Sequence, residues 1–320
     1  MGGRIPWRQL VLSLGIGSVV LWRIPFRDLR TAFRSLERGS LLVAVSFTLV
    51  LLVVRAYKWH CLMSAVGDFR LRQSLRTLLG GCALGLITPG RIGELGRCIF
   101  VRKQERTEIA VLTFLDRSLD FWGLLTLVGA SLFFIVSQPA AIFGVAVWLA
   151  LLPVVLGLPG LLAYLSQVSN RSRHLHGAFA EVASGLPPIR ILKYAGMSLG
   201  AMWLELSSFF FLLRAFSPAE YSTAVATYPY IALAGDLPFS FSGVGIREGA
   251  AALFLSPYAV PSGSAVDATL LWFVLGILLP GSLGLAWLGV ERLRPYYSTS
   301  RPIRSDTVRT MDPSAPEPTA

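Results

Sequence analysis

Two apolar stretches, residues 75–101 and 222–255, are long enough to cross a bilayer yet are broken at their middles by Pro, Gly and charged residues. The first break reads Thr88-Pro89-Gly90-Arg91-Ile92-Gly93-Glu94. The second runs from Asp236-Leu237-Pro238 through Gly243-Val244-Gly245-Ile246-Arg247-Glu248. Backbone that leaves the helix at membrane depth exposes polar groups that lipid cannot satisfy. Such breaks survive only where protein or a wet cavity supplies partners. Both stretches therefore read as re-entrant or broken helix hairpins.

Six further apolar runs have spanning length: about 8–25, 40–57, 110–136, 140–165, 192–216 and 265–290. Only 15% of the 320 residues are charged, against about 25% in a soluble domain. Mean hydropathy is +0.62. Lipid, not a polar surface, must cover such a chain, which excludes a soluble enzyme. The net charge of +11 lies largely in short loops, as expected of cytoplasmic loops facing anionic headgroups. No nucleic-acid module accompanies it, so no nucleic-acid partner is expected. Cys61, Cys82 and Cys98 form no CxxC pattern and read as small apolar residues. The histidines form no HExxH motif, and no metal or cofactor is expected.

Charge placement sets the topology. Basic residues gather in loops at 55–76 (Arg55, Lys58, Arg70, Arg72, Arg76), 102–109 and 166–193, and beyond 291. Segments 137–139 and 256–264 carry none. If the two broken stretches dip in and return, nearly all basic loops fall on one side, as the positive-inside rule requires. The exception, 23–39, has five arginines on the expected outer side, and two readings stay open: an interfacial amphipathic helix, or a first run at 8–25 that does not span. The fold expected is all-α: a polytopic bundle of six spanning helices and two oppositely oriented hairpins, arranged as an inverted repeat with a site at the midplane. Residues 1–294 form this domain, and 295–320, rich in Ser, Thr, Pro and Arg, form a disordered cytoplasmic tail. The first run lacks a cleavage site and reads as an uncleaved helix, placing both termini on the cytoplasmic side of the cell membrane.

Ten charged residues fall in or near the apolar segments: Arg91, Glu94, Arg97, Asp116, Arg117, Asp120, Glu205, Asp236, Arg247 and Glu248. Each costs roughly 2.5–3.5 kcal/mol at a helix centre, so each needs a partner or a function. Asp116 and Asp120 lie one turn apart and share a helix face. Glu205 has no charged neighbour in sequence, and Arg91 or Arg247 is its expected partner. Arg97 and Arg214, near span ends, are expected to snorkel to headgroups. Arg91 and Arg247 stand beside glycine turns that can open a helix, where backbone N–H groups and a guanidinium together suit a phosphate. Glu94 and Glu248 are the expected counter-ions of these two arginines.

Three of these segments resemble one family. Pro89-Gly90-Arg91-Ile92-Gly93-Glu94 with Arg97 is similar to the P-x-R-x-G-E-x-x-R signature of the lysylphosphatidylglycerol synthase transmembrane region. Leu115-Asp116-Arg117-Ser118-Leu119-Asp120 resembles that family's E-R-x-x-D segment, with Asp116 where Glu is common. Leu237-Pro238 with Gly243-Val244-Gly245-Ile246-Arg247-Glu248 resembles its late P-x-x-x-x-G-x-G-x-R-E segment. Order and spacing agree from about 40 to 290. The resemblance implies a flippase-like domain without the soluble aminoacyl-transfer domain, moving a phosphate-bearing or polyprenyl-linked lipid between leaflets, not an enzyme. Arg91 and Arg247 would bind the phosphate, and Glu94, Glu248, Glu205 and Asp120 would hold the arginines or carry a proton. Two alternatives stay open: an intramembrane lipid-pyrophosphate phosphatase, with Ser240 or Ser242 near the second motif, and a non-transporting scaffold of a glycolipid pathway.

Overall fold

The computed structural model describes residues 36–88, 91–135, 164, 180–237 and 242–292. Among these the chain is helical, with no strand. The runs at 8–25 and 140–165, most of 23–39, His174, His176, Ser240 and the tail 295–320 lie outside the described residues.

Helix α1 (Arg38–Ser64) continues well past the apolar run at 40–57, because no Gly or Pro interrupts the chain before Gly67. Arg55, Lys58 and His60 are therefore helix residues, not loop residues. The intervening loop shrinks to a turn before α2 (Leu71–Leu86), which starts where Gln73 accepts the Arg70 backbone N–H at 2.9 Å. A 3-10 helix (Ile92–Phe100) and a short second one (Lys103–Glu105) lead into α3 (Arg106–Ile135). Helix α4 (Pro188–Phe216) opens with Pro at its first position, where no N–H partner is needed. Helices α5 (Tyr221–Asp236) and α6 (Ile246–Leu255) form the second hairpin. Helix α7 (Ser262–Phe273) passes through a π-helical turn (Val274–Leu278) into α8 (Leu279–Arg292).

Three helices among the described residues are long and apolar enough to cross a membrane: Arg38–Ser64, Pro188–Phe216 and the continuous Ser262–Gly289. Helix α3 has 30 residues, about 45 Å of rise, but carries charges along its first half.

Two apolar clusters organise the packing. One joins α1, α2, α3 and α4 through Trp59, Leu78, Leu112 and Ala195. The other joins α4, α5, α6 and α7 through Phe209, Tyr228, Ala251 and Trp272. In the latter, Phe209, Tyr228 and Trp272 meet pairwise with ring centres 5.3–5.7 Å apart. Helix α8 lies against α2, and the absence of side chains at Gly281 and Gly284 lets the helices touch: a Cβ at either would collide with Leu86 or the Leu79 carbonyl.

Candidate functional site

The first hairpin is built on one glycine face. On α2, Gly80, Gly81 and Gly85 leave a trough. A 3-10 helix repeats every three residues, so Glu94, Arg97 and Phe100 stand in line and drop into it. A Cβ at Gly81 would lie 2.6 Å from Arg97 Cγ, at Gly85 2.8 Å from Glu94 Cγ, and at Gly80 2.5 Å from a Phe100 ring carbon. The opposite side exposes Ile92, Leu95 and Ile99, so the segment is apolar outward and charged inward. The turn is fixed by Thr88, whose hydroxyl accepts the Gly93 N–H at 2.7 Å and donates to Leu84 O at 3.1 Å. Arg91 adopts φ 57° and reaches back to pair with Glu94.

Behind this turn the charges form a continuous ladder. Arg117 Nη2 lies 2.5 Å from Glu94 and its Nη1 3.9 Å from Asp120. Lys58 Nζ bridges Asp120 at 2.5 Å and Asp116 at 2.7 Å, and donates to Ser198 Oγ at 2.9 Å. Arg97 Nη1 closes on Asp116 at 2.7 Å and its guanidinium stacks over Trp59 at 4.5 Å. Arg97 and Lys58, 0% and 1% exposed, correct the sequence reading: neither snorkels nor sits in a loop. Ion pairing with α3 repays the burial that length counting assigns to a span end. Asp116 and Asp120 do share one face, and Lys58 is what they share.

In the second hairpin Ser242, Gly243 and Gly245 all adopt positive φ (51°, 79° and 89°). Glu248 accepts the Gly245 N–H at 2.5 Å and so caps α6. It makes no ion pair with Arg247, which corrects the expected counter-ion. Arg247 threads between two glycines: a Cβ at Gly235 would meet its Nε at 2.5 Å, and one at Gly243 its Nη2 at 2.9 Å. Its guanidinium stacks over Trp272 at 4.8 Å. The residue is 1% exposed, and Nε and Nη1 have no hydrogen-bond partner among the described residues. Ser242 donates to both Gly85 O and Leu86 O at 3.1 Å, tying the second turn to the end of α2.

The two turns meet at one cavity of about 240 Å3, lined by both Arg91 and Arg247. From the sequence-derived set, Arg117, Asp120, Glu205 and Asp236 also line it. Glu94, Arg97, Asp116 and Glu248 stand behind the lining. Glu205 pairs with Arg55 at 2.5 Å, not with Arg91 or Arg247, because α1 packs along α4 and brings Arg55 opposite it. Asp236, at the end of α5, has no ion pair or side-chain hydrogen bond among the described residues. Arg55, Tyr228 and Trp272 complete the wall with Ile277 of the π-helical turn, a distortion that often marks functional sites.

Residues 9–284 match the model of the lysylphosphatidylglycerol synthase TM region. The chain belongs to this family. No individually curated protein matches it. As a member of the lysylphosphatidylglycerol synthase TM family it is a membrane protein of lipid metabolism or transport, and all three motif segments lie inside the matched region.

Proposed function

We propose that this protein is a lipid translocase of the cell membrane, with six spanning helices, two opposed re-entrant hairpins and an inverted repeat. It moves a phosphate-bearing lipid between leaflets. The supporting observation is Arg247: a guanidinium buried at a cavity wall, with no ion pair among the described residues and with Nε and Nη1 lacking hydrogen-bond partners there, is costly unless an anion completes it. Its planar fork can hold two phosphate oxygens, with Arg91 on the facing turn. A cavity of 240 Å3 holds about eight waters, enough for a phosphate with a small substituent. Phe121 lines the same cavity while 51% exposed, giving acyl chains an apolar flank as the headgroup crosses. A phosphatase would need a nucleophile beside the arginines, and the nearby Ser242 has its proton committed to two carbonyls.

Reconstitution into vesicles holding a fluorescent phosphatidylglycerol tests this. Wild type and Arg214→Lys, at an exposed helix end, should move the lipid, whereas Arg91→Lys and Arg247→Lys should fold and lose most transport. Equal transport by all four, or none by wild type, overturns the reading; the second outcome would favour a scaffold.

A further inference from the structure

We infer that each anionic headgroup enters the cavity together with one proton, held by Asp236, so that the loaded site stays electrically neutral. This rests on the phosphate site proposed above. The cavity wall and the ladder behind it hold six cations, Arg55, Lys58, Arg91, Arg97, Arg117 and Arg247. They face six carboxylates: Glu94, Asp116, Asp120, Glu205, Asp236 and Glu248. The empty cluster is therefore balanced. A phosphodiester adds one negative charge, and an uncompensated charge in low dielectric is what such clusters are built to avoid.

The structure singles out where the compensating charge goes. Glu94, Asp116, Asp120 and Glu205 are each held by a cation within 2.7 Å, and Glu248 is committed to the Gly245 N–H. Asp236 alone among the six faces the cavity with neither an ion pair nor a hydrogen bond among the described residues, and it is exposed where the other five are buried, so a proton can reach it. It ends α5, where the helix dipole already opposes a negative charge. The titratable and charged groups that line the cavity with it are Arg117 and Asp120 from α3, Glu205 from α4, Arg247 from α6, Arg91 from the first turn, Arg55 from α1 and Tyr228 from α5 itself. When a phosphate occupies Arg91 and Arg247, those two guanidiniums stop offsetting Asp236, and a proton replaces them. No cluster of three potential metal ligands exists among the described residues, so the lone carboxylate suits a proton better than a metal cation, which needs several oxygens. The proton leaves with the headgroup on the other side, and a gradient of one pH unit then biases the lipid about tenfold.

The test uses the purified full-length protein and dioctanoyl phosphatidylglycerol, with lipid affinity and proton uptake measured together in weak buffer. Wild type should take up one proton per lipid at neutral pH, and its affinity should fall about tenfold per unit as pH rises. Asp236→Asn, which leaves the cluster one charge positive, should bind the lipid with no proton uptake and a flat pH profile. Asp236→Glu should restore both. Binding without proton uptake in wild type, or an unchanged profile in Asp236→Asn, overturns the inference and leaves the phosphate site standing. Binding only of a zwitterionic analogue places the compensating charge on the lipid and also overturns it. No binding at any pH removes the phosphate site and the inference together.

Discussion

Replacing Lys58 with Met removes the cation that joins α1 to α3 and α4 while keeping the bulk of the side chain. Lys58 is 1% exposed and serves Asp116, Asp120 and Ser198 at 2.5–2.9 Å. Removing one partner of a buried ion pair costs about 3–5 kcal/mol, because the remaining charge is left uncompensated. Here the two carboxylates differ. Asp116 keeps Arg97 at 2.7 Å, whereas Asp120 keeps only the Ser198 hydroxyl at 2.9 Å and Arg117 at 3.9 Å. One carboxylate, not two, is orphaned, so the cost should sit at the low end, about 3 kcal/mol. Asp120→Asn in the same chain removes the orphaned charge and retains the bond to Ser198. The double variant should therefore recover about half the loss, about 1.5 kcal/mol, and the coupling exceeds that figure by whatever Asp120→Asn costs alone. Equilibrium unfolding in mixed micelles, followed by tryptophan fluorescence, measures all four corners of the cycle. A Lys58→Met protein within about 0.5 kcal/mol of wild type, or strict additivity in the double variant, would refute a buried ladder.

Other perturbations probe the turns and the topology. Gly235→Ala places a Cβ 2.5 Å from Arg247 Nε and should displace the guanidinium, lowering affinity for an anionic lipid by more than about tenfold, or about 1.4 kcal/mol. Gly249→Ala, with nothing within 4 Å, should be silent in the same binding assay. Ser242→Ala removes both bonds to the end of α2 and should cost about 1–2 kcal/mol in unfolding while transport persists; complete loss of activity in a well-folded protein would instead mark a nucleophile. In a chain with its three cysteines replaced, Gln104→Cys and Ser262→Cys should react with a membrane-impermeant thiol reagent from opposite sides. Labelling from one side would contradict the opposed hairpins.

Helices whose cores are apolar were legible from the sequence to within a few residues: the runs at 110–136, 192–216 and 265–290 correspond to Arg106–Ile135, Pro188–Phe216 and Ser262–Arg292. The breaks at Arg91 and Arg247 were legible too, since Pro and Gly at span centres have few structural solutions, and both arginines line one cavity. Pairing was not. Glu205 meets Arg55 and the two aspartates meet Lys58 because of how α1 lies against α3 and α4, a tertiary fact without local signal. Counting Arg55 and Lys58 as loop cations also hid them, although nothing between Arg55 and Ser64 breaks a helix. A period of three in Glu94, Arg97 and Phe100, opposite three glycines of α2, was the overlooked sign that Arg97 points inward.

The claim that Arg247 completes its coordination with a lipid phosphate is tested most directly by native mass spectrometry of protein purified from membranes under mild conditions. The expected result is one phosphate-bearing lipid retained on wild type and on Arg214→Lys, and lost from Arg247→Lys at unchanged thermal stability. Equal retention by Arg247→Lys, or retention of only uncharged lipid by wild type, would contradict it.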